Sequence, residues 1–144
     1  MRKLTPGIAF AGALALAFLL TPALAQKDSE AEREKICAEA GERYKELFGK
    51  EASGEAMPIV MMYRYHFCPG GLTVKPGVTV RWVNVDKRTS HSVWFRADGK
   101  EESVRLFPEE HVEMAIDLAP GEHEYLCGPH WEKEGMRGRL EVQP

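Results

Sequence analysis

Hydrophobic and polar residues alternate with two different periods along this chain. Between residues 28 and 48, Ile36, Cys37, Ala40, Tyr44, Leu47 and Phe48 recur at three- and four-residue steps, one apolar stripe of an amphipathic helix. Ser29-Glu-Ala-Glu32 has the form of a capping box, and Gly49 is a natural stop. So short a helix does not hold itself up in water, so the stripe is expected to pack on the rest of the chain; the competing reading is a frayed, charged tail. From Pro58 onward the period is two. Ile59, Met61, Tyr63, Tyr65 and Phe67 alternate with Val60, Met62, Arg64 and His66, which predicts one half-buried strand over residues 59–67. Pro69-Gly70-Gly71 breaks it. Short strands are then predicted at 72–74, 78–84, 91–95, 111–117, 122–127 and 137–142, with Pro76-Gly77, Asp98-Gly99 and Pro120-Gly121 as turns. Six or seven strands at this spacing, with no helices between them, predict an all-β sandwich carrying an N-terminal helical extension.

The first 25 residues do not read as fold. Arg2 and Lys3 are followed by an apolar run from Ile8 to Leu20, and Ala23-Leu24-Ala25 supplies a small-x-small cleavage pattern before Gln26. The run has 13 residues, against about 20 needed to span a bilayer. The expectation is therefore a signal peptide over 1–25, a helix and linker over 26–57, and a β domain over 58–144. The alternative for the first segment is a retained anchor helix. The exported chain is not expected to insert into a membrane.

Composition narrows the function classes. Hydrophobic residues are 44% and charged residues 28% of the 144, a balance that supports a packed core. Lys and Arg number 19 against 22 Asp and Glu, so the formal charge is −3 and becomes −5 without Arg2 and Lys3. A nucleic-acid binder needs clustered positive charge, so that class is set aside.

The chemistry is concentrated near the C-terminus. Cys127-Gly-Pro-His130-Trp-Glu-Lys-Glu-Gly-Met136 places a thiolate, an imidazole and a thioether where a strand gives way to a loop. A loop is required, because three donors on one strand cannot converge on one atom. A second imidazole, His91, stands 36 residues upstream. Two His, one Cys and a weak Met form the donor set of a mononuclear electron-transfer copper site. Thiolate and thioether suit Cu(I), and imidazole suits both oxidation states. Zinc usually collects four strong ligands, and Met serves it poorly. The competing assignment for Met136 is core filling, a common role for methionine.

The chain here resembles the cupredoxins, small blue copper proteins such as plastocyanin, pseudoazurin and amicyanin. The resemblance covers roughly Met61 to Val142. It rests on Leu72-Thr-Val-Lys-Pro-Gly-Val-Thr-Val-Arg-Trp-Val-Asn84, on Thr89-Ser-His-Ser-Val93, and on Pro120-Gly-Glu-His-Glu-Tyr-Leu-Cys-Gly-Pro-His130. It implies a Greek-key β-sandwich with one copper ion at one end. His91, Cys127 and His130 would be the strong ligands and Met136 the axial one. Ser92 and Asn84 would support the site from behind, Ser92 standing where many relatives carry Asn. His123 stands where the family often has a tyrosine. Gly128, Pro129 and Trp131 would form an apolar rim around His130, the path for the electron, with Glu132, Lys133 and Glu134 as orienting charges.

Two cysteines remain. In an exported protein spare thiols usually pair, so a Cys37–Cys68 disulfide is expected to fasten the helix to the end of the first strand. His66, His111 and His123 fall on separate strands with no ligand spacing and are expected to be structural or solvent-facing. Of Met57, Met61 and Met62, which could suggest a copper-loading surface, Met61 lies on the aromatic face of its strand and is expected in the core. The functional expectation is a periplasmic, monomeric one-electron carrier that meets redox partner proteins transiently and is not an enzyme. The alternative is a copper-binding protein that delivers the metal.

Overall fold

The computed structural model describes residues 29–144; the expected leader over 1–25 lies outside them. Helix α1 (Glu30–Phe48) begins where the Ser29 hydroxyl accepts the Glu32 N–H at 3.2 Å, and ends at Gly49, whose left-handed φ of 74° closes the last turn onto the Lys45 carbonyl. A short 3₁₀ turn follows at Ala52–Gly54. Seven strands come next: β1 (Ile59–Tyr63), β2 (His66–Cys68), β3 (Gly71–Val74), β4 (Thr79–Asn84), β5 (His111–Ala115), β6 (Gly121–Leu126) and β7 (Arg137–Val142). Among the described residues no helix is long and apolar enough to cross a membrane.

The strands form two sheets, ordered β2-β1-β4-β5 and β3-β7-β6. β1 runs parallel to β4 and β3 parallel to β7; the other pairings are antiparallel. Between the sheets lies the main core, with Val60, Met62, Phe67, Val80, Trp82, Tyr125 and Leu140 among its buried members. Its aromatic rings meet edge-on or tilted: Phe67 and Tyr125 at 4.7 Å, Trp82 and Tyr125 at 5.6 Å, Phe95 and Tyr125 at 5.3 Å. Such pairs contribute about 0.5–1.5 kcal/mol each beyond the area they bury.

A second apolar cluster lies on the outer face of the first sheet, where Ala40 and Tyr44 of α1 cover Ile59, Met61, Val83 and Val85. The Cys37–Cys68 disulfide is formed, with Cα atoms 5.2 Å apart, and ties α1 to β2. The Tyr44 hydroxyl donates to Glu55; burial, then that carboxylate, push its pKa up to about 12. The helix is thus packed rather than frayed. Its presence explains why β1 is buried on both faces (Val60 and Met62 inward, Ile59 and Met61 toward α1), where the alternating pattern predicts one wet face.

Two strand expectations need correction. The single strand over 59–67 is a hairpin, because Arg64 and Tyr65 adopt positive φ (46° and 64°) and reverse the chain. The Asp86 carboxylate steadies that turn by accepting the Arg64 N–H at 2.9 Å. Residues 91–95 do not form a strand of either sheet. They make two isolated bridges, His91 to Leu106 and Trp94 to Leu126, and so tie the segment before β5 to the end of β6.

Candidate metal centre

Three donors converge at one end of the sandwich. His91 is held by two backbone bonds with Leu106, of 3.0 and 2.8 Å, which aim its ring inward. Cys127 follows the last residue of β6. The loop after it folds back on itself: the His130 and Trp131 amides donate to the Cys127 carbonyl, and the Cys127 amide donates to the Met136 carbonyl at 3.1 Å. Cys127 Sγ lies 3.7 Å from His91 Nδ1 and 3.3 Å from His130 Nδ1, and the three donor atoms all fall within 4.8 Å of one another. His91 and Cys127 are fully buried, while His130 is partly exposed. Met136 is buried at the far end of the loop, its amide bonded to the His130 carbonyl at 3.3 Å.

The chemistry of this set fits a copper ion. His91 Nε2 lies 3.1 Å from Asp86 Oδ2, so the proton sits on Nε2 and the Nδ1 lone pair faces the other donors. Burial alone would raise the Asp86 carboxyl; the His91 ring and the Arg64 and Lys87 amides outweigh it and hold its pKa down. Burial first, and then the neighbouring His91 ring and the Arg105 guanidinium, depress His130, which favours the neutral imidazole that ligates. Burial pushes the Cys127 thiol up, opposed by the Ser92 amide and hydroxyl. Metal binding would therefore release the thiol proton, as thiolate ligation requires.

The remaining sequence candidates separate into layers. Ser92 is buried and bridges the segments carrying His91 and Cys127, accepting the Gly128 N–H at 2.9 Å. Asn84 stands one layer back: its amide donates to the Thr89 and Leu106 carbonyls and its oxygen accepts the Asp86 N–H, bracing the loop that leads to His91. Gly128, Pro129 and Trp131 lie half-buried around His130. The Arg96 guanidinium is 5.1 Å from the ring centroids of both Trp94 and Trp131. Of the other histidines, His123 binds Asp98 and the Ala119 carbonyl, His66 meets the Arg64 carbonyl, and His111 is exposed. Met62 is buried between the sheets, whereas Met61 is buried under α1 beside half-buried Met57 and not on the Phe67 face expected for it, because the β1–β2 turn breaks the alternation.

Sequence reasoning missed three residues. Asp86, and Glu102 of the adjacent pair Glu101-Glu102, are acids in loops with no motif to mark them. Tyr65, 39% exposed, stacks edge-on against His130 at 4.9 Å, which depends on the unexpected turn.

Comparisons with known proteins agree with this geometry. The family described as copper binding proteins, plastocyanin/azurin family, matches residues 60–143. A plastocyanin of Synechococcus sp. (strain JA-2-3B'a(2-13)) is 35% identical over 85 residues, 51% of this chain and 61% of that protein, so the match spans less than two thirds of the relative's length. Among solved structures, a variant of amicyanin in its reduced Cu(I) form at pH 4 superimposes with a TM-score of 0.54 at 24% identity, covering 62% of this chain and 85% of that one. Another reduced amicyanin variant gives 0.53 at 24% identity, over 64% and 89% of the two chains. These structures establish the cupredoxin fold, and the His–Cys–His group is compatible with one copper ion. The chain belongs to the plastocyanin/azurin family of copper binding proteins.

Proposed function

We propose that this chain carries single electrons outside the cytoplasm, with one copper ion held by His91 Nδ1, Cys127 Sγ and His130 Nδ1 and weakly by the Met136 thioether. The carrying observation is the buried sulfur of Cys127 with two imidazole nitrogens at 3.7 and 3.3 Å. When bound, copper supplies a one-electron couple between Cu(I) and Cu(II). The protein's part is to keep the donors still: Asp86 fixes the His91 ring, Ser92 ties the two ligand segments, and backbone bonds close the 127–136 loop. Partly exposed His130 gives the electron its way out, and Gly128, Pro129 and Trp131 form the rim that a redox partner protein touches. Electron-transfer encounters are small and brief, so this compact rim suffices. Four protein donors leave no position open for a substrate, which favours a carrier over an enzyme.

Export is part of the reading. Residues 1–25 have the pattern of a signal peptide, and a formed disulfide suits an oxidising compartment such as the periplasm. Residues 26–57 would then be an accessory helix and linker on a copper domain of residues 58–144, working as a monomer. The rival reading, delivery of copper to another protein, requires an exchangeable ion; complete burial of Cys127 and His91 speaks against it.

The test is to load purified protein with copper and record its visible and electron spin resonance spectra and its voltammogram. The expected result is an intense thiolate-to-copper band and a reversible one-electron wave, with the band abolished in Cys127→Ser. Rapid loss of copper to a weak chelator without a reversible wave would favour delivery, and preferential retention of zinc would overturn both.

A further inference from the structure

Ser92 has one hydroxyl proton and is fully buried, so where that proton goes has consequences for both segments it joins. Its Oγ donates to Glu102 Oε1 at 2.6 Å and accepts the Gly128 N–H at 2.9 Å. The first bond orients the second: with the proton committed to Glu102, the lone pairs face Gly128. Glu102 is not delivered by a loose loop. Ser103 exchanges two bonds with Val93, its Oγ accepting the Val93 N–H and its own N–H donating to the Val93 carbonyl, both at 2.9 Å, and Leu106 pairs with His91. The segment bearing Glu102 is therefore zipped alongside the segment bearing His91.

The space around residue 128 points independently to the same carboxylate. A Cβ built on Gly128 would collide with the Glu102 carboxylate, whose Oε1, Cδ and Oε2 are its three nearest atoms. The absence of a side chain at 128 is what lets a carboxylate rest against the peptide that follows Cys127.

We infer that Glu102 is a positioning residue of the metal centre: through Ser92 it holds the Cys127–Gly128 peptide in place and sets a negative charge beside it. This rests on the reading of Cys127 as a copper ligand. Ser92 has one proton to give, and the Glu102 carboxylate takes it. Removing Glu102 frees the Ser92 hydroxyl and removes a negative charge that rests against Gly128. Losing that charge favours the reduced state of the site.

Two readouts test this. In copper-free protein, Glu102→Ala should speed hydrogen exchange of the Gly128 amide, while Glu102→Gln, which keeps an acceptor oxygen, should leave it close to the parent. In copper-loaded protein, Glu102→Ala should raise the Cu(I)-over-Cu(II) preference roughly tenfold, about 59 mV for one electron, and Glu102→Gln should raise it less. Gly128→Ala, by displacing the carboxylate, should move the potential in the same direction and add little to Glu102→Ala in the double variant. Unchanged amide exchange and potential in Glu102→Ala, or full additivity in the double variant, would overturn the inference. Amide exchange needs no metal, so a parent protein without a reversible couple would sink the electron-carrier reading and still leave this bridge decided.

Discussion

The helix flank and the metal centre each join segments about thirty residues apart, and they do so by different means. At the flank, Cys37 and Cys68, separated by 31 positions, are joined covalently, and Ala40 and Tyr44 bury an apolar face over β1 and β4. At the metal centre His91 and Cys127 meet across 36 positions through Ser92, Leu106 and the loop's own backbone bonds, with no covalent link. The flank uses generic forces that stabilise the sheet from behind. The centre uses directed hydrogen bonds that set where donor atoms lie. Stability and site geometry should therefore respond to different substitutions, even though the Arg64–Tyr65 turn touches both regions, Arg64 pairing with Glu39 of α1 at 2.8 Å and Tyr65 stacking on His130.

The strongest way to break this separation is to remove the disulfide. For a loop of 31 positions, the chain-entropy treatment predicts a loss of about 3–4 kcal/mol. Cys37→Ser combined with Cys68→Ser should lose that much in denaturant unfolding of the copper-free protein. The visible spectrum of the copper-loaded, still folded variant should match the parent. A shifted or weakened band would show that the flank governs the donors after all.

Legibility in the sequence follows the same division. The convergence of Cys127 and His130 could be read because they lie close together in the chain, and that of His91 because it opens an extended segment. The helix, the disulfide partners and six of the seven strands were likewise visible through period, caps and punctuation. The β1–β2 turn was not, since Arg64 and Tyr65 take positive φ without a Gly, Asn or Pro to signal it. What sustains that turn is a carboxylate 22 positions away, Asp86. Segment 91–95 has strand composition, yet its backbone bonds go to Leu106, Ser103 and Leu126 rather than into one ladder. Glu102 was invisible for a related reason: nothing separates it from Glu101 until folding lays it against Gly128.

A smaller effect probes the scaffold just behind the centre. Tyr125 is fully buried on β6, two residues before Cys127, and pairs across the ladder with Gly138 of β7. A Cβ at Gly138 would enter the Tyr125 ring. The ring has little room to yield, since Phe67, Trp82 and Phe95 surround it. Gly138→Ala should cost about 2 kcal/mol through overpacking, read as a lower urea midpoint. If the Tyr125 ring shift is passed along β6, the copper band will move too, which would place this strand on the site's side of the division. An unchanged urea midpoint would show that the ladder relaxes around the added methyl.

The smallest effect concerns His123, also on β6, and carries a pH signature. Its Nδ1 meets Asp98 Oδ1 and its Nε2 meets the Ala119 carbonyl, each at 2.8 Å. Both partners only accept, so these contacts favour the imidazolium, in which both ring nitrogens donate. The Ala119 carbonyl first, and then Asp98, raise the His123 pKa against the opposing effect of burial. A pKa raised on folding contributes stability that is complete below the unfolded value, about 6.5, and is lost as pH rises through the folded value. Replacing His123 with Gln should cost about 1 kcal/mol at pH 5.5 and progressively less toward pH 8.5. The parent's unfolding free energy, relative to the variant's, should therefore fall across that range. Parallel pH profiles would mean that the ring is not charged in the folded protein. Because Asp98 and Ala119 anchor the ring to neighbouring loops rather than to any donor of the metal centre, the copper spectrum should stay constant while this stability is titrated away.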